Sequence, residues 1–198
     1  MPRRSASDAL LTRDAIVNRA VDVASVDGLE GVTIGRLATD LTMSKAGVIG
    51  HFGTKETLQL AALDAAIERF RVTVWEPVAH REPGIERLRA LCDSWQAYCD
   101  SDTFPGGCFL TAASFEFDDR EGPVRDKIAG MLKRWHGVLR DEVATAVAAG
   151  DLPKDTDPDQ VAFELEAITV GANQARRLHR DPQATTRANR AIARVLQR

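Results

Sequence analysis

An all-α fold of about nine helices is predicted by three observations. Apolar residues recur at helical spacing from end to end of the 198-residue chain. No segment alternates apolar and polar residues for the length of a strand with turn signals at both ends. Helix start and stop residues punctuate the chain at short intervals.

The first helix is expected over about Thr12 to Val26. Thr12 can cap it, Asp14 lies in its first turn, and Val17, Val21 and Ala24 share a stripe. Asp27-Gly28 ends it. Thr33 opens a short second helix carrying Ile34, Leu37, Ala38 and Leu41, and Thr42-Met43 turns the chain. Ser44 caps a short third helix with Val48, Ile49 and Phe52. Gly53 breaks it, and Thr54 caps a fourth that carries Leu58, Ala62 and Ala65 towards Trp75 and Pro77. A fifth helix covers about Gly84 to Cys99, with Leu88, Leu91 and Trp95 on one face. Pro105-Gly106-Gly107 interrupts, and an apolar helix follows at about Cys108 to Phe117. Pro123 suits the first position of a long helix reaching Ala149, with Ile128, Leu132, Trp135 and Leu139 at helical spacing. Asp157-Pro158, with Gln160 at the capping-box position, opens the eighth, whose stripe is Val161, Leu165, Ile168, Ala172 and Ala175. Asp181-Pro182 repeats the start signal for a last helix bearing Ile192, Val195 and Leu196.

Composition bounds the class. The chain is 44% hydrophobic and 28% charged, which is ordinary globular composition. No run of about 18 apolar residues exists to span a membrane. Met1-Pro2-Arg3-Arg4 has charge but no apolar core behind it, unlike a secretory leader. Cys92, Cys99 and Cys108 are too few and too unevenly spaced for a disulfide framework or a zinc site. The expectation is a cytoplasmic protein in a reducing compartment, with no metal, no cofactor and no membrane partner.

The net charge of −3 hides an asymmetry. Residues 1–58 hold seven basic and seven acidic side chains, residues 59–175 hold 12 and 21, and residues 176–198 hold seven and one. An acidic chain can still bind nucleic acid, because only the contacting surface must be positive. The basic tail is read either as solvated arginines on helix faces or as a patch for an acidic partner.

Between Thr33 and Lys55 two short helices joined by a tight turn have the layout of a helix-turn-helix. A helix that enters the major groove needs small or polar side chains at its N-terminal end. Ser44-Lys45-Ala46-Gly47 meets that need, while Val48 and Phe52 can pack behind it. Thr33 and Lys55 lie at helix N-termini, where backbone N–H groups favour a phosphate. His51 and Thr42 are further candidates, and Arg3, Arg4 and Arg13 could form a loose basic arm.

The run Thr33-Ile34-Gly35-Arg36-Leu37-Ala38, then Met43-Ser44-Lys45-Ala46-Gly47-Val48-Ile49-Gly50-His51-Phe52-Gly53-Thr54-Lys55-Glu56-Thr57-Leu58, resembles the N-terminal domain of TetR-family transcriptional regulators. The resemblance covers about residues 10–70. Beyond it, only the all-helical layout and the stretch Gly106 to Asp119 are similar to the family. It implies a helix-turn-helix DNA-binding domain at 10–70 and a helical ligand-binding and dimerisation domain at 71–198. It further implies a homodimer, a double-stranded DNA operator that is nearly palindromic, usually repression, and release by an unidentified small-molecule effector. Thr33, Ser44, Lys45, Gly47, His51 and Lys55 match positions that touch DNA in the family, and the candidate interface also takes in Thr42, Ala46 and Ile49. Many members carry Tyr, a phosphate ligand, where Ile49 stands. Ile49 cannot donate a hydrogen bond, which shifts weight onto Lys45, His51 and Lys55.

In the second half, Trp75, Trp95, Phe104, Phe109, Phe115, Trp135, His136 and Asn173 are candidates for an effector pocket; the same aromatics also suit a plain core. Glu116, Glu166 and Asn173 are polar groups on apolar helices, and either face solvent or hold a ligand. The two last long helices, with Ala167, Gly171, Ala172 and Ala175, suit a close four-helix dimer interface. Two other classes remain beside the regulator: a helical protein-interaction module, and an enzyme built on Cys108 and His136.

Overall fold

The computed structural model describes residues 6–197. It is all-helical among them, with nine α-helices: α1 (Ala6–Asp27), α2 (Ile34–Asp40), α3 (Lys45–Phe52), α4 (Lys55–Phe70), α5 (Ile85–Asp100), α6 (Phe109–Glu116), α7 (Pro123–Ala149), α8 (Pro158–Arg177) and α9 (Ala184–Val195). A π-helical turn, Arg71–Trp75, extends α4. Among the described residues no helix is long and apolar enough to cross a membrane, and no cluster of ligating side chains could hold a metal. Arg3, Arg4 and Arg198 lie outside the described residues.

Caps set by local sequence form where expected. Thr33 accepts from the Arg36 N–H at 3.2 Å, Ser44 from Gly47 at 3.0 Å, and Thr54 from Thr57 at 3.1 Å. Asp157 accepts from the amides of Asp159 and Gln160. Three start signals act differently. The first helix begins at Ala6, so Thr12 is not its cap; the hydroxyl instead donates to the Asp8 carbonyl one turn back. Gln160 does not close a capping box; its side-chain amide N–H donates one turn on to Glu164 at 3.1 Å. The last helix starts at Ala184, with Asp181 accepting from the Gln183 amide just ahead of it.

The chain divides into two compact units. The first holds the residues up to Glu68 together with Phe104–Ile128. Its core is Ile16, Ala20, Val21, Leu29, Val32, Leu37, Val48, Leu58, Ala62 and Leu63, all essentially inaccessible to water. Residues 104–128, which the sequence assigned to the second domain, cluster here for two physical reasons. The Glu116 carboxylate accepts from the amides of Leu29 and Glu30, each at 2.8 Å. The Gly106 backbone lies against the end of α1, its N–H 3.1 Å from Ser25 Oγ.

The second unit holds Arg69–Thr103 and the residues from Ala129 onward. Leu88, Leu91, Leu139, Val143, Ala162 and Leu165 form its centre. Burying each of these Leu and Val side chains stabilises by about 1.5–3 kcal/mol. Glu142, itself buried, accepts from Gly84 N–H at 2.8 Å and ion-pairs with Arg87 at 2.6 Å. The Arg87 guanidinium also covers the Trp75 ring, 5.3 Å from its centroid.

Candidate nucleic-acid interface

The turn between α2 and α3 is a Schellman motif. Met43 N–H bonds the Ala38 carbonyl at 2.8 Å, and Thr42 N–H bonds Thr39 at 3.2 Å. That motif requires a left-handed residue, and Thr42 supplies it at φ 54° where glycine is usual. A β-branched residue held there is strained, and it is exposed at the tip of the turn.

From this turn α3 projects with a fixed orientation. Val48 and Phe52 are buried and lock its inner face. Ser44, Lys45, Ala46, Ile49 and Gly50 are exposed, with Gly47 and His51 half-buried between the two faces. Gly47 serves the cap: its N–H reaches Ser44 Oγ, and a Cβ added there would sit 3.2 Å from that same oxygen. Phe52 is braced by the Arg13 guanidinium, 5.0 Å from its ring centroid. Arg13 is therefore a helical residue stacked on α3 rather than part of a loose arm.

The two candidate lysines differ in state. Lys45 lies over Gly35, is exposed, and forms no ion pair among the described residues. Lys55 is engaged: its Nζ is 3.0 Å from Glu30 Oε2 and 2.9 Å from the Glu30 carbonyl. Hydrogen bonds from Lys55 and then Gln59 hold the Glu30 carboxyl below its ordinary range. Nothing near Lys55 in the sequence announces this pairing, because Glu30 is 25 residues earlier. Thr33 is exposed at the N-terminus of α2, its hydroxyl oxygen accepting from the Arg36 N–H in the cap.

The pocket candidates do not gather in one place. Trp95 and Trp135 meet edge to face at 5.1 Å, and Phe70 packs edge-on to them at 6.3 and 5.0 Å and to Tyr98 at 5.3 Å. Both indole N–H groups are buried without a hydrogen-bond partner among the described residues, as is Asn173 Oδ1. Trp75 is half-buried under Arg87. Phe104 and Phe109 are buried in the first unit, 5.6 Å apart. Phe115 departs from expectation: it is 65% exposed, because α6 turns Phe109, Leu110 and Ala113 inward instead. Phe70, which the sequence places in the core but not among the pocket candidates, stands at the centre of this cluster and follows Ala62 and Ala66 on one stripe of α4.

His136 is bound between two carboxylates of α8. Its Nδ1 lies 3.0 Å from Glu166 and its Nε2 3.3 Å from Asp159. The Glu166 hydrogen bond, against partial desolvation, raises its pKa above the ordinary value. A raised folded-state pKa means its stabilisation is full below the unfolded value near 6.5 and fades as pH rises through the folded one. The melting-temperature difference between parent and His136→Gln should therefore be largest at pH 5–6 and shrink towards pH 9. A difference that grows with pH contradicts this arrangement. Cys108 is buried in the other unit and Cys92 has its thiol pushed up to about 12 by burial, which leaves Cys92 inert as a nucleophile.

The family described as tetracyclin repressor-like, C-terminal domain, matches residues 84–192. The chain is 26% identical over 164 residues to the HTH-type transcriptional repressor ComR of Escherichia coli, covering 80% of this chain and 76% of ComR. It superposes on the crystal structure of a TetR transcriptional regulator from Chloroflexus aurantiacus with a TM-score of 0.89, 25% identity and 97% of each chain covered. AibR, solved in complex with isovaleryl coenzyme A and operator DNA, superposes with a TM-score of 0.76 at 20% identity, over 93% of this chain and 98% of that one.

Proposed function

The chain belongs to the TetR family of transcriptional regulators, and from that premise we propose that it represses from a near-palindromic operator as a homodimer and is released by a small molecule. The reading assigns DNA binding to residues 10–70, and effector binding and dimerisation to residues 71–198. The observation that carries it is the free outer face of α3, small and polar at its N-terminal end and anchored from behind by Val48 and Phe52. The similarity to the ComR repressor favours repression.

Dimerisation through α8 and α9 is supported by their surface. Phe163 and Leu178 stand exposed on and just past α8. Small residues, among them Gly171, Ala172, Ala175, Ala184 and Ala188, line a groove of about 240 Å³. Exposed large apolar groups and a small-residue groove on the same pair of helices suit a second copy of those helices. An effector acts only through its different affinity for the two conformations, and a coupling of about 1–3 kcal/mol changes operator affinity roughly 5–150-fold.

The test is retardation of the DNA upstream of the chain's own gene at increasing salt, with light scattering to give the mass of the free protein. Each phosphate contact contributes about −0.9 to the slope of log affinity on log salt, so Lys45→Ala acting in both halves of a dimer should flatten the slope by about 1.8. Lys55→Ala should do less, because Glu30 already neutralises that ammonium. A Lys45→Ala, Lys55→Ala double variant that binds as the parent does, or a monomer in solution, overturns the reading.

A further inference from the structure

We propose that Ile49, with Ala46, reads the 5-methyl groups of thymine, so that α3 selects its operator by apolar contact rather than by paired hydrogen bonds; the proposal rests on the DNA-binding role assigned to α3 above.

The eight residues of α3 include no Arg, Asn, Gln, Asp or Glu. Apart from Lys45, read above as a phosphate anchor, the helix therefore lacks the side chains that make the paired contacts to guanine and adenine or accept from cytosine. The Ser44 hydroxyl ahead of it is held by the Gly47 amide. Gly50 points outward into open space, with nothing within 4 Å of where a Cβ would be, so α3 carries no bulk there to hold its backbone off the groove floor. Two apolar groups remain on the exposed surface, the Ala46 methyl and the Ile49 side chain, one helical turn apart.

Ile49 is 45% exposed beside an inner face that buries Val48 and Phe52. The part of it left in water gains nothing for the fold. A β-branched side chain in a helix holds essentially one rotamer, so little freedom is lost when it is buried against a ligand. On the major-groove edge the apolar feature of a base is the thymine methyl, and 5-methylcytosine carries the same group.

The experiment selects binding sequences from a random duplex library with the full chain. Each thymine of the selected sequence is then replaced by deoxyuridine, which removes only the methyl. At one symmetric pair of thymines the replacement should weaken binding about fourfold per half-site and about fifteenfold in both. Replacing the same thymine by cytosine should weaken binding further, and 5-methylcytosine should recover part of that loss. Ile49→Ala should bind the thymine and deoxyuridine duplexes nearly equally. The parent protein alone supplies the deoxyuridine comparison, so the result does not depend on how the variant folds. If no sequence is enriched, the DNA-reading function fails. If a sequence is enriched but deoxyuridine is tolerated at every thymine, or Ile49→Ala stays as sensitive as the parent, the methyl-reading inference fails and the function stands.

Discussion

Arg87→Ala will lower the unfolding free energy by about 3–5 kcal/mol, the range for removing one partner of a buried ion pair. Glu142 is almost inaccessible, and Arg87 is its only cationic partner among the described residues. Without Arg87 the carboxylate keeps only the Gly84 N–H and must either stay charged in an apolar setting or take up a proton. The same substitution uncovers the Trp75 face. Urea unfolding followed by circular dichroism measures the loss. The apolar double replacement Arg87→Met, Glu142→Leu should recover most of it, since no charge is then left buried. A loss below about 1 kcal/mol for Arg87→Ala would show that the pair is hydrated, contrary to the geometry.

Gly106→Ala is the second large effect. A Cβ at this position would lie 1.5 Å from the Ser25 carbonyl oxygen and 2.2 Å from its carbon. Both are backbone atoms, so no change of rotamer relieves the overlap. The 105–107 segment must leave the end of α1 and give up the Gly106 to Ser25 hydrogen bond. Overpacking on this scale costs about 3 kcal/mol, at the upper end of the usual range. Gly50→Ala is the natural control. It meets nothing within 4 Å and removes a glycine from a helix interior, which should raise stability by up to about 1 kcal/mol. Equal melting temperatures for Gly106→Ala and the parent would contradict the close approach.

What the sequence revealed and what it concealed divide by distance along the chain. Thr33, Ser44, Thr54 and Asp157 cap helices because each bonds an amide two or three residues on, and such partners can be read in a window. The bare outer face of α3 was legible for the same reason: Val48 and Phe52 recur at helical spacing opposite small residues. Glu116, Gly106 and Glu142 were not, since their partners lie 87, 81 and 58 residues away. Glu116 and Glu166 stood as undetermined polar groups in the sequence; each holds a specific group, the α1–α2 turn for one and His136 for the other. Of the seven tail arginines, Arg176 pairs with Asp100 and Arg187 with Asp181, which takes two charges out of any patch.

The grip of Glu116 on Leu29 and Glu30 has a consequence for biosynthesis. Translation is vectorial, so the acceptor for those two amides is made 86 or more residues after the donors. Until α6 leaves the ribosome, the nascent amino-terminal helices carry a loop whose amides only water can satisfy. A fragment ending near residue 70 stays in that condition permanently, and such a truncation lacks a component of its own structure.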